Sequence, residues 1–181
     1  MIIRFSLVAV TSILFFAACK QQTARSGDRK FYTAVEYTDF ISDQQNAIIK
    51  RMLKLTDTYD TGTPAEIKTQ FDSLVKQSDI SLSEIRRLTD YEGDTMLKLD
   101  AERLFEFYNH IFHNEYRKMV DIFLKGAEAS EEDVAELNRI VKDVRLRESA
   151  LNASLSKSQV EFSKKFGFEF LDNSAGIQET P

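Results

Sequence analysis

Residues 130–167, SEEDVAELNRIVKDVRLRESALNASLSKSQVEFSKKFG, indicate one long amphipathic helix. Ser130 and Asp133 have the spacing of an N-terminal capping box, and Gly167 is suited to the end of a helix. Between them, apolar residues recur every three or four positions, which is the period of a helix face. That face comprises Val134, Leu137, Val141, Val144, Leu151, Leu155, Phe162 and Phe166. A helix over 131–166 is roughly 54 Å long at 1.5 Å per residue, so it needs partners of similar length.

Three earlier segments repeat this pattern and predict helices over about 31–60, 64–90 and 95–125. Thr61 and Gly62 end the first of them. The run Thr63-Pro64-Ala65-Glu66 begins the second, because threonine at the N-cap, proline at the first helical position and glutamate two positions later complete a capping box. The third is capped by Asp94 or Thr95 and ends at Gly126.

The composition favours helices throughout, since the chain has only six glycines and two prolines. No alternating β-branched run with hairpin-type turns is present in the sequence. We therefore predict an all-α fold, an up-down-up-down four-helix bundle over residues 31–172, with the shallow left-handed crossing that a 3.5-residue repeat favours. The alternative is a three-helix bundle, which would result if the second helix broke near Ser78 and Asp79.

Four polar residues interrupt the apolar stripes, namely Gln45, Ser78, Glu115 and Glu148. Folding the chain at its loops predicts that Gln45, Ser78, Tyr108 and Glu148 share one layer near the middle of the bundle. Buried polar groups of this kind fix register when they bond to one another. The other interpretation is that Glu148 and Tyr108 face a small cavity that holds a ligand.

The third helix carries the two histidines and most of the aromatic residues. At 100° per residue, His110, His113, Glu102 and Glu106 fall on its outer face, so we predict no metal site and no cofactor there. Phe107 and Tyr116 either belong to the core or emerge as a partner-binding patch. Because no phosphate loop, nucleophile elbow or paired cysteine appears, we predict that the protein is not an enzyme.

The N-terminus has the features of an export signal. Arg4 precedes a mostly apolar run over 5–16, which is too short to span a bilayer as a helix and suits a cleavable signal. The run ends in Phe16-Ala17-Ala18-Cys19, and Cys19 is the only cysteine. This end resembles the lipobox of bacterial lipoproteins. The alternative is an ordinary signal peptide in which Cys19 is incidental.

The resemblance implies acylation of Cys19, cleavage before it, and anchoring to a bilayer. Residues 1–18 would then be a signal peptide, 19–30 a lipidated cysteine and flexible tether, and 173–181 a disordered tail. By analogy with lipoprotein sorting, Lys20 rather than aspartate after Cys19 favours the outer membrane. The remainder looks similar to small all-helical surface lipoproteins.

The net charge of −5 gives no electrostatic footprint for nucleic acid. We expect a non-enzymatic interaction or scaffold module that binds an envelope protein along one face. The alternative function is a carrier of a small hydrophobic ligand or cofactor inside the bundle. Filled stripes of Leu, Ile, Phe and Tyr favour the first of these.

Overall fold

The computed structural model describes residues 30–169, and in that range the chain is all-α. Five α-helices follow one another: α1 Ala34–Thr61, α2 Pro64–Arg86, α3 Met96–His113, α4 Glu115–Lys125 and α5 Glu131–Phe166. A short 3₁₀ turn at Gly126–Glu128 joins α4 to α5. The predicted signal peptide, Cys19 and most of the tether (1–29), and the tail (173–181), lie outside the described residues.

The predicted starts of the second and fourth helices are confirmed by their caps. Thr63 and Glu66 form a complete capping box before α2, and Ser130 and Asp133 form another before α5. Both boxes satisfy backbone N–H groups that have no partner within the helix. The first helix begins at Ala34 rather than near residue 31, because Thr33 caps it in the same way.

The second helix is shorter than predicted, since α2 ends at Arg86 and not near residue 90. A tight turn follows, in which the Asp94 N–H donates to the Tyr91 carbonyl at 2.8 Å. Glu92 and Gly93 both have positive φ there, which no α-helix accommodates. The Asp94 carboxylate then accepts from the Leu97 N–H at 3.4 Å, whereas Thr95 makes no side-chain cap.

The prediction of one continuous third helix over 95–125 is wrong at a single residue. Asn114 has φ −118° and ψ −78°, which separates α3 from α4. Its side-chain amide donates to the His110 carbonyl at 2.8 Å. Asparagine competes in this way for backbone hydrogen bonds and is therefore unfavourable inside helices. Together α3 and α4 still form the third rod of the bundle.

The rods pack in the order predicted for an up-down-up-down four-helix bundle. Helix α1 packs on α2, α2 on α3, and α3 and α4 pack on α5. Helix α2 continues without a break through Ser78 and Asp79, so the three-helix alternative is wrong. The largest fully buried side chains are Tyr37, Phe105, Phe112, Phe162, Ile41, Leu55, Leu74, Ile85, Leu97, Leu104, Ile111 and Ile140.

One end of the bundle is closed by aromatic rings. Phe162 of α5 stacks on Tyr37 of α1 with 5.7 Å between ring centroids, and it also contacts Tyr91, Phe166 and Phe168. The Tyr37 hydroxyl donates to the Thr89 carbonyl at 3.1 Å. The start of α1, the α2–α3 turn and the end of α5 are therefore joined at this end.

The contribution of the N-terminal capping box to the stability of α5, the longest helix, can be measured with a single substitution. Ser130→Ala should lower the free energy of unfolding by about 1 kcal/mol, because the Asp133 N–H loses its acceptor. Ser154→Ala is the matched control: Ser154 is exposed in the same helix, where alanine is at least as favourable. Equilibrium urea unfolding of the three proteins would measure the difference. Equal stabilities would contradict the role given to the cap.

Candidate functional site

The candidate site is a buried polar layer near the middle of the bundle, to which α1, α3 and α5 contribute. It comprises Gln45 of α1, Tyr108 of α3, and Glu148 and Asn152 of α5. The Gln45 amide donates to the Asn152 side-chain carbonyl at 3.5 Å. The Tyr108 hydroxyl interacts with Gln45, Glu148 and Asn152. The sequence identified three of these four residues from their positions in the apolar stripes.

Glu148 is the one acid among these four residues, and 8% of its surface is exposed. Within residues 30–169, its Oε1 atom is fully buried and has no hydrogen-bond partner. Burial raises the pKa of Glu148, and the hydrogen bond from Tyr108 opposes that rise. The layer therefore holds a carboxyl group whose neutral form is favoured by its surroundings.

Two tyrosines respond to the same environment. Burial raises the pKa of Tyr108, and the nearby Glu148 raises it further. Burial also raises the pKa of Tyr116, with smaller contributions from Glu148 and Tyr59. Both phenols thus remain neutral hydrogen-bonding groups well above physiological pH, and neither is activated as a base or nucleophile.

Ser78 does not join these residues, so that part of the predicted layer is wrong. Its hydroxyl donates to the Val75 carbonyl at 2.7 Å and accepts from Asn109 at 3.3 Å. The reason is the position of α2, which packs against α1, α3 and α4. Ser78 lies at the same level of the bundle as the layer, but on α2, and it therefore contacts α3 and not α5.

Of the two interpretations of Phe107 and Tyr116, the structure supports the core and contradicts the partner-binding patch. Phe107 is only 6% exposed, and the Arg147 guanidinium covers its ring at 4.9 Å from the centroid. Tyr116 is half-buried and packs edge-on against Phe112 at 5.1 Å. A new helix, α4, begins at Glu115, and its aromatic residues Tyr116 and Phe123 pack against the core. They are therefore not available to a partner at the surface.

Glu115, the other acid that interrupts a stripe, lies at that restart. Its Oε1 atom is 3.5 Å from Arg147 and 3.7 Å from His110. Its Oε2 atom is buried and has no hydrogen-bond partner among the described residues. Glu115 therefore belongs to a half-buried ion-pair group at the α4–α5 contact.

The histidines lie on the outer face, where the sequence placed them. His113 Nε2 is 2.8 Å from the Asp79 carboxylate, which also accepts from Asn109 at 2.7 Å. Glu102 and Glu106 pair instead with Arg86. In the described part of the chain, no three His, Cys, Asp or Glu residues are grouped in a way that would hold a metal ion.

One buried acid escaped the sequence analysis. Asp100 is 4% exposed, accepts a hydrogen bond from the buried Ser158 hydroxyl, and pairs with Arg103 at 3.0 Å. Its spacing of three residues from Leu97 already placed it on the apolar face of the helix. Asp100 thus ties α3 to α5 about two helical turns nearer the aromatic end than Tyr108.

Open clefts on the described part of the surface lie beside charged residues. One, of about 540 Å³, lies between α4 and the start of α5, where Lys118 and Lys125 pair with Glu136 and Asp133. The other, of about 430 Å³, lies between α2 and α3 beside Arg86 and Asn109. The two lysines of the first cleft are paired with acids of the same protein, and neither cleft is lined by residues of the buried layer.

No protein-family model, curated protein or solved structure matches this chain. The function must therefore be argued from the residues themselves.

Proposed function

We propose that this chain is a lipoprotein anchored to the outer membrane through acyl groups on Cys19. In this proposal the bundle acts as a non-enzymatic interaction or scaffold module for another envelope protein. The observation that carries the proposal is the sequence Phe16-Ala17-Ala18-Cys19 at the end of a short apolar run. Two or more acyl chains make such an anchor stable, since each buried CH₂ contributes about 0.8 kcal/mol.

The short segment between Cys19 and the start of α1 is consistent with a bundle held close to the bilayer. Helix α1 begins at the aromatic end of the bundle, and only 11 peptide units separate Cys19 from Lys30. A fully extended chain covers about 3.5 Å per residue, so the bundle would start within roughly 40 Å of the bilayer. The aromatic end would then be nearest to the membrane, and the long sides of the rod would be available to a partner.

Those sides are polar and carry many ion pairs. Lys118 lies 2.6 Å from Glu136, and Arg86 lies 2.6 Å from Glu106. Exposed charges of both signs contribute little to stability, but they select partners through complementary charge. A folded protein partner that approaches these sides therefore meets charges of both signs, and complementary charge on the partner would help to select it.

The carrier alternative is less well supported by the same geometry. A ligand carrier needs an enclosed apolar space, whereas the buried stripe positions of the described helices are filled by large side chains such as Phe105, Phe112 and Leu104. Part of the central layer is polar and already bonded to itself. Both features favour the interaction module.

Site-specific photo-crosslinking in cells would test the partner. A photoreactive amino acid would replace an exposed residue on each of three helices, Leu53 of α1, Ile80 of α2 and Leu146 of α5. We expect one discrete crosslinked product from one face, and its loss in Cys19→Ser, which leaves the membrane surface. Absence of discrete products from all three faces, together with a small molecule retained in native mass spectrometry, would support the carrier instead.

A further inference from the structure

The central polar layer contains a group that the proposed function does not use. Glu148 is more than nine-tenths buried, and its Oε1 atom has no hydrogen-bond partner within residues 30–169. Among the described residues, the hydrogen bond that affects its ionisation comes from the Tyr108 hydroxyl. Burying a carboxyl group with one unpaired oxygen costs folding free energy, and the cost is larger when the group is ionised. The protonation state of Glu148 therefore affects the packing of the helices around it.

The polar and titratable groups around Glu148 come from α1, α3, α4 and α5. The Tyr108 hydroxyl of α3 interacts with Glu148, with Gln45 of α1 and with Asn152 of α5, and Tyr116 of α4 is close enough for Glu148 to raise its pKa. Arg147, the next residue along α5, pairs with Glu115 of α4. Arg147 is turned away from Glu148, because it contacts Glu115 at 3.5 Å, Asp143 at 3.1 Å and the Phe107 ring. The immediate surroundings are therefore amides and phenols, and none of them supplies a positive charge.

The same level is where α1 and α5 are joined across the bundle. The bond from Gln45 to Asn152 is 3.5 Å long, which is at the weak limit for a hydrogen bond. Both side chains are half-buried, so water is close to them. We call this contact between the middle of α1 and the middle of α5 the α1–α5 seam.

We propose that Glu148 is a proton-binding site and that its bound proton keeps the α1–α5 seam closed. In the neutral carboxyl form, the layer of Gln45, Tyr108, Glu148 and Asn152 carries no net charge and excludes water. When the proton leaves, the carboxylate has no cation beside it, and hydration through the seam is the available compensation.

The direction of the pH dependence follows from linkage. Burial holds the pKa of Glu148 above its value in the unfolded chain. The native state therefore binds this proton more tightly than the unfolded state. The stabilising contribution is fully present below the unfolded pKa and is lost as the pH rises through the folded pKa. Between the two values, this carboxyl lowers the folding equilibrium constant about tenfold per pH unit.

Hydrogen exchange measured by mass spectrometry on the full-length chain in mild detergent would test the proposal. Rates would be corrected for the intrinsic effect of pH and followed from acidic to mildly alkaline conditions. We expect protection to fall with rising pH in peptides around Gln45 and Asn152, while the α2 segment stays protected. In Glu148→Gln, which carries no ionisable group at this position, this pH dependence should disappear.

Glu161→Gln is the matched control, because it makes the same chemical change at an exposed position of the same helix. The Glu161 carboxylate lies at the surface, 3.9 Å from the Lys157 ammonium. This variant should behave like the unaltered chain. The same pH dependence in Glu148→Gln as in the unaltered chain, or a pH dependence lost equally in Glu161→Gln, would overturn the proposal.

A measurement on the unaltered chain keeps the proposal testable if Glu148→Gln does not fold. Labelling glutamate carboxyls with ¹³C allows infrared spectroscopy to separate their neutral form from that of aspartate. We expect a neutral glutamic acid band to persist at pH values where exposed glutamates are ionised. It should persist to still higher pH in Tyr108→Phe, which removes the hydrogen bond that lowers the pKa of Glu148. Absence of this band in the unaltered chain would overturn the proposal.

Discussion

Replacing Cys19 with serine should move the protein from the membrane fraction to the soluble fraction. The substitution removes the thiol that would carry the diacylglycerol, and serine at that position is not a substrate for the lipobox pathway. In this proposal the acyl groups are the anchor; within the described residues 30–169, no helix is long and apolar enough to cross a membrane. Fractionation followed by immunoblotting would measure the change.

Thr23→Ser is the control for this experiment, since it alters the polar segment after Cys19 without touching the thiol. It should leave the protein with the membranes. Both variants remaining in the membrane fraction after a high-salt wash would contradict the lipid anchor. Washing matters because a peripheral protein held by charge alone is released by salt.

Phe162→Ala should strongly destabilise the aromatic end of the bundle. Phe162 is 1% exposed, and its ring contacts Tyr37, Tyr91, Phe166 and Phe168. Removing a buried phenylalanine costs about 3–5 kcal/mol through lost transfer energy and the cavity that remains. With a urea m-value of about 2 kcal/mol/M, the unfolding midpoint should fall by roughly 2 M.

Tyr32→Ala provides the comparison at the same end of the molecule. Tyr32 precedes the first helix and is 83% exposed, so its ring contributes little buried area. Its removal should change the free energy of unfolding by less than about 0.5 kcal/mol. Similar midpoints for the two variants would mean that the aromatic end is not a packed part of the core.

The fold could be predicted because apolar residues recur every three or four positions over many residues of each long helical segment. The start of α5 followed from Ser130 and Asp133, whose capping box depends on residues three positions apart. The end of α2 and the break at Asn114 were missed for the opposite reason. In each case the helix stops at one residue, Arg87 or Asn114, and the period of the apolar residues does not mark that position.

The polar layer was predicted only in part, because a stripe shows how deep a residue lies but not which helix it meets. Gln45, Tyr108 and Glu148 come from rods that meet at this level, and they were placed together. Ser78 has the right height and is fully buried, yet α2 directs it towards Asn109. Asn152 was missed because its half-buried position lies at the border of the apolar stripe.

The intact mass of the chain isolated from membranes tests the central claim of a lipid-anchored bundle most directly. The proposal predicts a mature protein that begins at Cys19 and carries the added mass of a diacylglycerol group and an amino-terminal acyl chain. A chain that still contains residues 1–18, or one cleaved near Ala18 with an unmodified thiol at Cys19, would contradict it.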